Sequence, residues 1–430
     1  MITLPHHVEF LTERWAQEAQ QFLERRIQAE RARHEGRPFS LSIRCTNTPP
    51  HLDCPSDARS DDIGRSGVAA WTAWFDGTAL SVAARFDPDA DLRLEGDYQA
   101  TLTAAQTVGA LAPDIMAEAL QEVHHIFGPN AVLLSGALPD AAADELVALC
   151  HDHLARRTVE NPDLAHRAAR LGIADRVRDM ETNGYTVIER AISPGFADTL
   201  RAATLQALLP HHATQLQWML YHGRAFERVV QNPHLMTLID ASLGRGAVIA
   251  SLSAIRRGPG PGFIPIHTDY SMIPEPYPEF AMTGVGVWAM EDWTVASGPT
   301  WIVPGSHRLR RGPRKGDGLD AGIPIEMPKG SVVFFTHGVW HWQGDRTAPG
   351  ERVTLHAHFN RGILRGLEPK KVDVQMMHRN PPRLGEMLGE DDWFDKLTAQ
   401  GRDHVRAAYM ARLHQFSDAR KQHLLEEHSA

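Results

Sequence analysis

The sequence predicts an α+β protein of two domains, the second of them an all-β sandwich or barrel. Three observations carry this. At 430 residues the chain is long for a single hydrophobic core. Its first part mixes helix-period and strand-period apolar patterns. From about residue 245 the texture changes to short apolar runs set apart by Gly and Pro, among them "AVIASLSAIRR", "TGVGVWAME", "GPTWIVPGS", "SVVFFT" and "RVTLHAHF". Many short strands at close spacing indicate a sandwich or a barrel.

Taken in order, residues 1–35 hold an amphipathic helix over 8–34, with Phe10, Leu11, Trp15 and Leu23 spaced by threes and fours. Gly36 and Pro38 stop it. Residues 36–165 form the first domain. "GVAAWTAWFDGTALSVAARF" alternates apolar and polar residues around Asp76-Gly77, a strong hairpin signal. A short strand follows in "DADLRLEG", then a helix around 103–127, a strand in "NAVLLSGAL" and further helix over 139–180. The second domain, residues 175–385, opens with a strand in "NGYTVIER". Ser193 is placed to cap the next helix and Pro194 to occupy its first turn. Residues 386–430 are polar and helical in pattern.

The bulk numbers exclude some functions. A formal charge of −9 argues against a nucleic-acid partner, which needs a basic face. The three cysteines, Cys45, Cys54 and Cys150, have no metal-like spacing and fit free thiols in a reducing compartment. "MITLPHHVEF" lacks the layout of a signal peptide, and no apolar run reaches the ~18 residues of a membrane span. A cytoplasmic location is expected.

The chemistry gathers around "FIPIHTDYS". In an extended chain, residues i and i+2 share a face, so His267 and Asp269 can bind one cation while Thr268 faces away. A third ligand is expected from "FFTHGVWHWQG", where His337 and His341 compete. Arg352, eleven positions after His341, favours His341. Its guanidinium is the natural partner of a distant carboxylate. Two histidines and a carboxylate on one face leave the other positions of an octahedral ion open, which suits non-haem Fe(II) binding a cosubstrate and O2. The combination predicts a site for iron and 2-oxoglutarate.

The segments "PIHTDY", "VWAMEDWTVASGPTWIVPGSHR", "KGSVVFFTHGVWHWQG" and "ERVTLHAHF" resemble, in order and spacing, the phytanoyl-CoA dioxygenase family of Fe(II)/2-oxoglutarate oxygenases. The resemblance implies a double-stranded β-helix, a jelly-roll or cupin-like relative. It implies that His267, Asp269 and His341 bind iron and that Arg352 binds the far carboxylate of 2-oxoglutarate. Trp288 stands where the family has a tryptophan near the cosubstrate, and His358 matches a histidine common at the end of its strand. Gln343 stands where the family often has a small hydroxyl residue, and its amide can hydrogen-bond a carboxylate. The implied reaction couples decarboxylation of 2-oxoglutarate to succinate with oxidation of a C–H bond. Asp269, rather than Gly or Ala, argues against a halogenase.

More weakly, residues 36–160 are similar to the sterol-carrier-protein-2 type of lipid-binding domain, through "WTAWFDGTALSVAARF", "DADLRLEGDYQATLTA" and "NAVLLSGALPD". That likeness implies a mostly apolar small-molecule substrate such as a lipid, sterol, terpenoid or acyl thioester. Otherwise the domain serves dimerisation, giving a homodimer, or shields the barrel. The alternative function is a non-catalytic lipid carrier with a degenerate oxygenase domain.

The remaining candidates have plainer expectations. His307 is a turn residue, and His356 packs in the barrel. The pairs His6/His7, His124/His125 and His211/His212 are surface or satisfied polar groups. Trp340 and Trp342 face opposite to His341. "YSMIPEPYPEF", with three prolines, is a lid over the substrate. Arg256, Arg257 and "RLRRGPRK" form a solvated basic patch.

Overall fold

The computed structural model describes residues 7–52, 67–211, 214–270, 273–364, 366 and 373–389. The expected C-terminal helical segment therefore lies, beyond residue 389, outside the described residues, as do His6, Cys54 and His212.

The first element departs from expectation. Val8–Glu9 is a short strand paired in parallel with Thr158–Val159, and helix α1 spans Glu13–Ala29. Leu11 takes a left-handed conformation and the Thr12 hydroxyl accepts the Trp15 N–H, so the helix starts at this cap and not at residue 8. Strands β1 (Phe39–Thr46), β2 (Val68–Phe75), β3 (Leu80–Ala83), β4 (Leu92–Asp97) and β5 (Val132–Gly136) form one sheet in the order β3-β2-β1-β4-β5. β1 and β4 are parallel and the other neighbours antiparallel. The expected hairpin joins β2 to β3. Asp76 Oδ1 accepts the Thr78 and Ala79 N–H groups, and Gly77 supplies the positive φ.

The helix expected over 103–127 is two, α2 (Tyr98–Ala105) and α3 (Pro113–Phe127), because Gly109 and Pro113 interrupt it. The stretch 139–180 likewise divides into α4 (Ala141–Ala155), α5 (Leu164–Arg170) and the start of α6 (Ala174–Asn183). Asp140 and Asp163 cap the first two, and a left-handed Gly184 ends the third.

The second unit is built from β6 (Tyr185–Ile188), α7 (Pro194–Leu208), β7 (Gln215–Leu216), α8 (Arg224–Val230), α9 (Pro233–Leu243) and seven further strands. These are β8 (Val248–Arg257), β9 (Thr283–Ala289), β10 (Thr300–Ile302), β11 (Ile323–Pro324), β12 (Val332–Thr336), β13 (His341–Gln343) and β14 (Arg352–Asn360). The major sheet runs β6-β12-β9-β14-β8-β7 and a minor sheet runs β11-β10-β13. Ser193 caps α7 as expected, its hydroxyl accepting the Phe196 N–H at 3.0 Å. A final helix, α10, spans Pro382–Met387.

Alternation along β14 fixes the geometry of the site. Val353, Leu355, Ala357 and Phe359 enter the core shared with the helices, together with Leu200, Leu235 and Ile239. Gly286 of β9 lets α9 approach this face, since a Cβ there would lie 2.8 Å from Leu235 Cδ1. Arg352, Thr354, His356 and His358 take the opposite face. There the register sets Thr354, His356 and His358 beside Ala289, Val287 and Val285, whose core cluster also contains Ile302 of the minor sheet. That face is the barrel interior.

Candidate metal centre

His267, Asp269 and His341 converge, with one ligand atom from each lying within 4.8 Å of the others. The way they meet differs from the expected strand. Residues 263–270 are irregular, and His267 is held by an isolated antiparallel bridge to His341. Pro261 and Pro265 have no N–H to offer a ladder. The bridge exchanges two backbone hydrogen bonds of 3.0 Å, so the rings lie side by side with centroids 4.2 Å apart. Asp269 follows, with its own N–H donated to the His337 carbonyl at 3.1 Å.

The same local device orients both histidines. His267 Nδ1 lies 2.8 Å from the Pro265 carbonyl and His341 Nδ1 lies 3.0 Å from the Val339 carbonyl. A carbonyl only accepts, so each Nδ1 carries the proton and each Nε2 presents a lone pair. Those Nε2 atoms lie 3.5 Å (His267) and 3.8 Å (His341) from Asp269 Oδ1. Oδ2 faces His337 Nε2 at 3.4 Å.

Burial works against the Asp269 charge, but His337, His341 and His267 offset it and hold the carboxyl well below its ordinary range. Burial lowers the pKa of His341 and His337. For His267, contact with Asp269 outweighs burial and raises it. The cluster is open on one side: the His267 side chain is 34% exposed and that of His341 10%.

Arg352 lies on the interior face of β14, 4% exposed. Its guanidinium donates to the Gly298 carbonyl and sits 5.2 Å from the centroid of the Trp293 ring. Among the described residues it has no carboxylate partner within ion-pair distance; Glu291 pairs instead with Arg346 at 3.5 Å. A buried guanidinium with no ion-pair partner suits a carboxylate-bearing cosubstrate. The donor set fits a divalent ion of the iron type and the guanidinium fits the far end of a diacid.

Other expected residues divide. His358 reaches the centre from β14, its Nδ1 3.3 Å from His337 Nε2. Gln343 shares the face of His341, two residues on in β13, with its amide oxygen 3.3 Å from the Phe263 N–H. Trp288 is not brought to the site: paired with Leu355, it points into the helix-side core. The tryptophan beside Arg352 is Trp293, which lies in the same quoted segment but on the interior side. Thr268 faces away, bonded to the Tyr277 hydroxyl at 3.2 Å. Trp342 stacks on Trp301, while the Trp340 indole donates to the Arg311 carbonyl. His307 sits in a single turn at Ser306–Leu309.

The basic run corrects an expectation. Arg310 donates to the Tyr277 carbonyl and pairs with Glu279, and Arg314 pairs with Glu275. These arginines clamp the loop that follows the metal ligands. Arg257 is likewise engaged, by the carbonyls of Gly344, Gly260 and Pro261.

This chain is similar to several known proteins. The family model described as phytanoyl-CoA dioxygenase (PhyH) matches residues 109–353. A protein named dioxygenase af480, from Aspergillus fumigatus, is 26% identical over 162 residues, 36% of this chain and 52% of that one. The chain thus spans about half the length of that relative. An uncharacterized protein, Rv1501, of Mycobacterium tuberculosis is 20% identical over 195 residues, 42% of this chain and 68% of that one. Among solved structures, HygX from Streptomyces hygroscopicus with nickel and 2-oxoglutarate is 13% identical, with a TM-score of 0.39 over 45% of this chain and 88% of that one. The epimerase SnoN, in complex with Fe3+, alpha-ketoglutarate and nogalamycin RO, is 16% identical, with a TM-score of 0.38 over 48% and 96%. Since the family model covers more than half of the sequence, the chain belongs to the phytanoyl-CoA dioxygenase family of Fe(II)- and 2-oxoglutarate-dependent oxygenases.

Proposed function

We propose that this chain hydroxylates, or otherwise oxidises, an unactivated C–H bond of a mostly apolar small molecule: a lipid, sterol, terpenoid or acyl thioester. The observation that carries the reading is the convergence of His267, Asp269 and His341 in a barrel that also buries Arg352, with no carboxylate of the described residues within ion-pair distance of it. Bound there, iron with 2-oxoglutarate and O2 supplies the oxidising power, and 2-oxoglutarate leaves as succinate and CO2.

The chain's own residues do the rest. His267 and His341 offer oriented Nε2 lone pairs, and Asp269 offers a charged oxygen. Arg352, fixed by Trp293 and the Gly298 carbonyl, grips the far carboxylate of the cosubstrate. Gln343 and His358, on the same interior faces, bound the cosubstrate's space. Before and after the ligand segment in the chain stand Phe263 and Phe280, 67% and 59% exposed. Exposed apolar rings flanking the ligand segment in sequence favour an apolar substrate. Tyr277, pinned by Arg310, anchors the loop that would choose it.

For the N-terminal unit we keep the lipid-supplying role as part of the same proposal. Leu133 and Leu134, exposed on edge strand β5, support either a greasy ligand's approach or pairing with a second copy. No helix of the described residues is long and apolar enough to cross a membrane.

The test is spectroscopic. Anaerobic Fe(II) plus 2-oxoglutarate should give the wild type a weak visible charge-transfer band that His267→Ala abolishes. Arg352→Ala should keep the metal and lose the band through loss of 2-oxoglutarate. A wild type with no band, and a His267→Ala variant that binds apolar ligands unchanged, would establish the carrier alternative instead. Thermal-shift screening of sterols, fatty acids, acyl-CoA esters and terpenoids, with 2-oxoglutarate and an inert metal, then narrows the substrate.

A further inference from the structure

Asp269 has two oxygens, and they face different partners. Oδ1 faces His267 and His341; Oδ2 faces His337. We propose that His337 is a positioning residue that holds Oδ2, so that Asp269 offers a metal ion a single, fixed oxygen. This rests on the iron reading above and adds a residue to it.

His337 grips Asp269 twice. Its carbonyl accepts the Asp269 N–H at 3.1 Å, and its Nε2 lies 3.4 Å from Oδ2. A carboxylate only accepts, so an imidazole nitrogen turned toward it must carry the proton. The same Nε2 lies 3.3 Å from His358 Nδ1, so its single N–H is shared between Oδ2 and that ring nitrogen. The His337 ring is itself held. The His337 backbone N–H donates to the Thr283 carbonyl at the end of β9, and the ring packs at a steep angle against Tyr270, whose hydroxyl accepts the Met282 N–H at 2.8 Å. With its side chain 6% exposed, water does not compete for this contact. Groups that orient a metal-bound carboxylate typically contribute about 10–100-fold to metal affinity.

Asp269 Oδ2, His337 Nε2 and His358 Nδ1 also lie within 4.8 Å of one another, the spacing of a second cation site. The experiment must therefore count ions as well as measure affinity. Mn(II) or Co(II) is titrated anaerobically into the full chain and into His337→Ala, His337→Gln and His358→Ala, with melting curves for each. The wild type is expected to bind one ion. His337→Ala should bind it about 10–100-fold more weakly. His337→Gln, which returns an N–H near the position of Nε2, should recover most of that loss, and His358→Ala should cost little. The proposal is overturned if His337→Ala binds as tightly as wild type, or if His337→Gln is no better than His337→Ala while both melt normally. It is also overturned if the wild type binds two ions and His337→Ala one, which makes His337 a ligand. A wild type that binds no ion overturns the iron reading itself, and this proposal with it.

Discussion

Arg352 is a cation kept where a cation is costly. Burial first, and then Arg257, push its pKa down to about 10, with Glu291 only partly opposing them. A group in that state gains more from an incoming carboxylate than a solvated arginine does, because its solvation is already lost. Shape matters as much as charge. The planar fork makes two parallel hydrogen bonds to a carboxylate, and a lysine ammonium cannot. Arg352→Lys should therefore raise the KM for 2-oxoglutarate by about 10–100-fold, the loss of one charge-assisted hydrogen bond of about 1.5–3 kcal/mol. Its affinity for the metal should stay as in wild type. Steady-state kinetics against 2-oxoglutarate, with a separate metal titration, checks both. An unchanged KM would remove Arg352 from the cosubstrate's grip.

At the scale of elements, the centre depends on an irregular segment lying flat against β13. Gly262 makes that approach close: a Cβ there would overlap the Gln343 carbonyl oxygen. Its N–H donates to Asp345 at 2.8 Å, and the Gln343 N–H donates to the Ile264 carbonyl at 3.2 Å. Gly262→Ala should lift the segment and loosen the bridge of His267 to His341. Metal affinity should fall about tenfold or more, since these contacts orient the ligand, while far-UV circular dichroism stays unchanged. A variant that binds metal like wild type would show that the bridge does not need this contact. The same segment marks where sequence pattern stopped being informative. Strands read from short apolar runs, such as Val332–Thr336 and Arg352–Asn360, stand in the structure where those runs place them. His267 and Asp269 meet His341 as expected, but through one bridge and a turn, because two prolines deny the segment a ladder. Trp288 and Trp293 could be told apart only by the pairing of β9 with β14, and register between strands distant in sequence is not written in either strand. The second contact of Asp269, with His337, was visible only as a rival ligand. The N-terminal start was mistaken because Leu11 and Thr12 form a cap inside an apolar helical pattern.

For the whole molecule, the two units are joined by charge as well as by apolar packing. Helix α3 spans the junction, with Glu122 accepting the Ser193 N–H at 3.0 Å and Phe127 packed on the barrel's helix-side core. Beside it lies a network no local pattern announced, drawn from α5, α9, α10 and two connecting segments. Arg167, Arg245 and Arg383 face Glu160, Asp240 and Glu386, so three positive charges meet three negative ones. Arg167 and Arg383 bond separate oxygens of Asp240 at 2.5 and 2.7 Å, and all three side chains are under 10% exposed. Removing one partner from such a group leaves charges buried and unpaired, which costs far more than an exposed pair. Asp240→Asn should lower unfolding free energy by about 3–5 kcal/mol in a urea titration. The acid limb gives an independent reading. Burial opposes the Asp240 charge, but Arg383, Arg167 and Arg245 more than offset it and hold its pKa below the usual carboxylate value. Its contribution to stability is therefore complete above the unfolded-state pKa of about 4 and is lost as the pH falls below that, toward the folded-state value. Wild-type stability should drop below about pH 4 more steeply than that of Asp240→Asn, which has no proton to take up at that position. Parallel acid limbs, with a loss under about 1 kcal/mol at neutral pH, would reduce the network to the standing of surface pairs and leave apolar packing as the joint between the units.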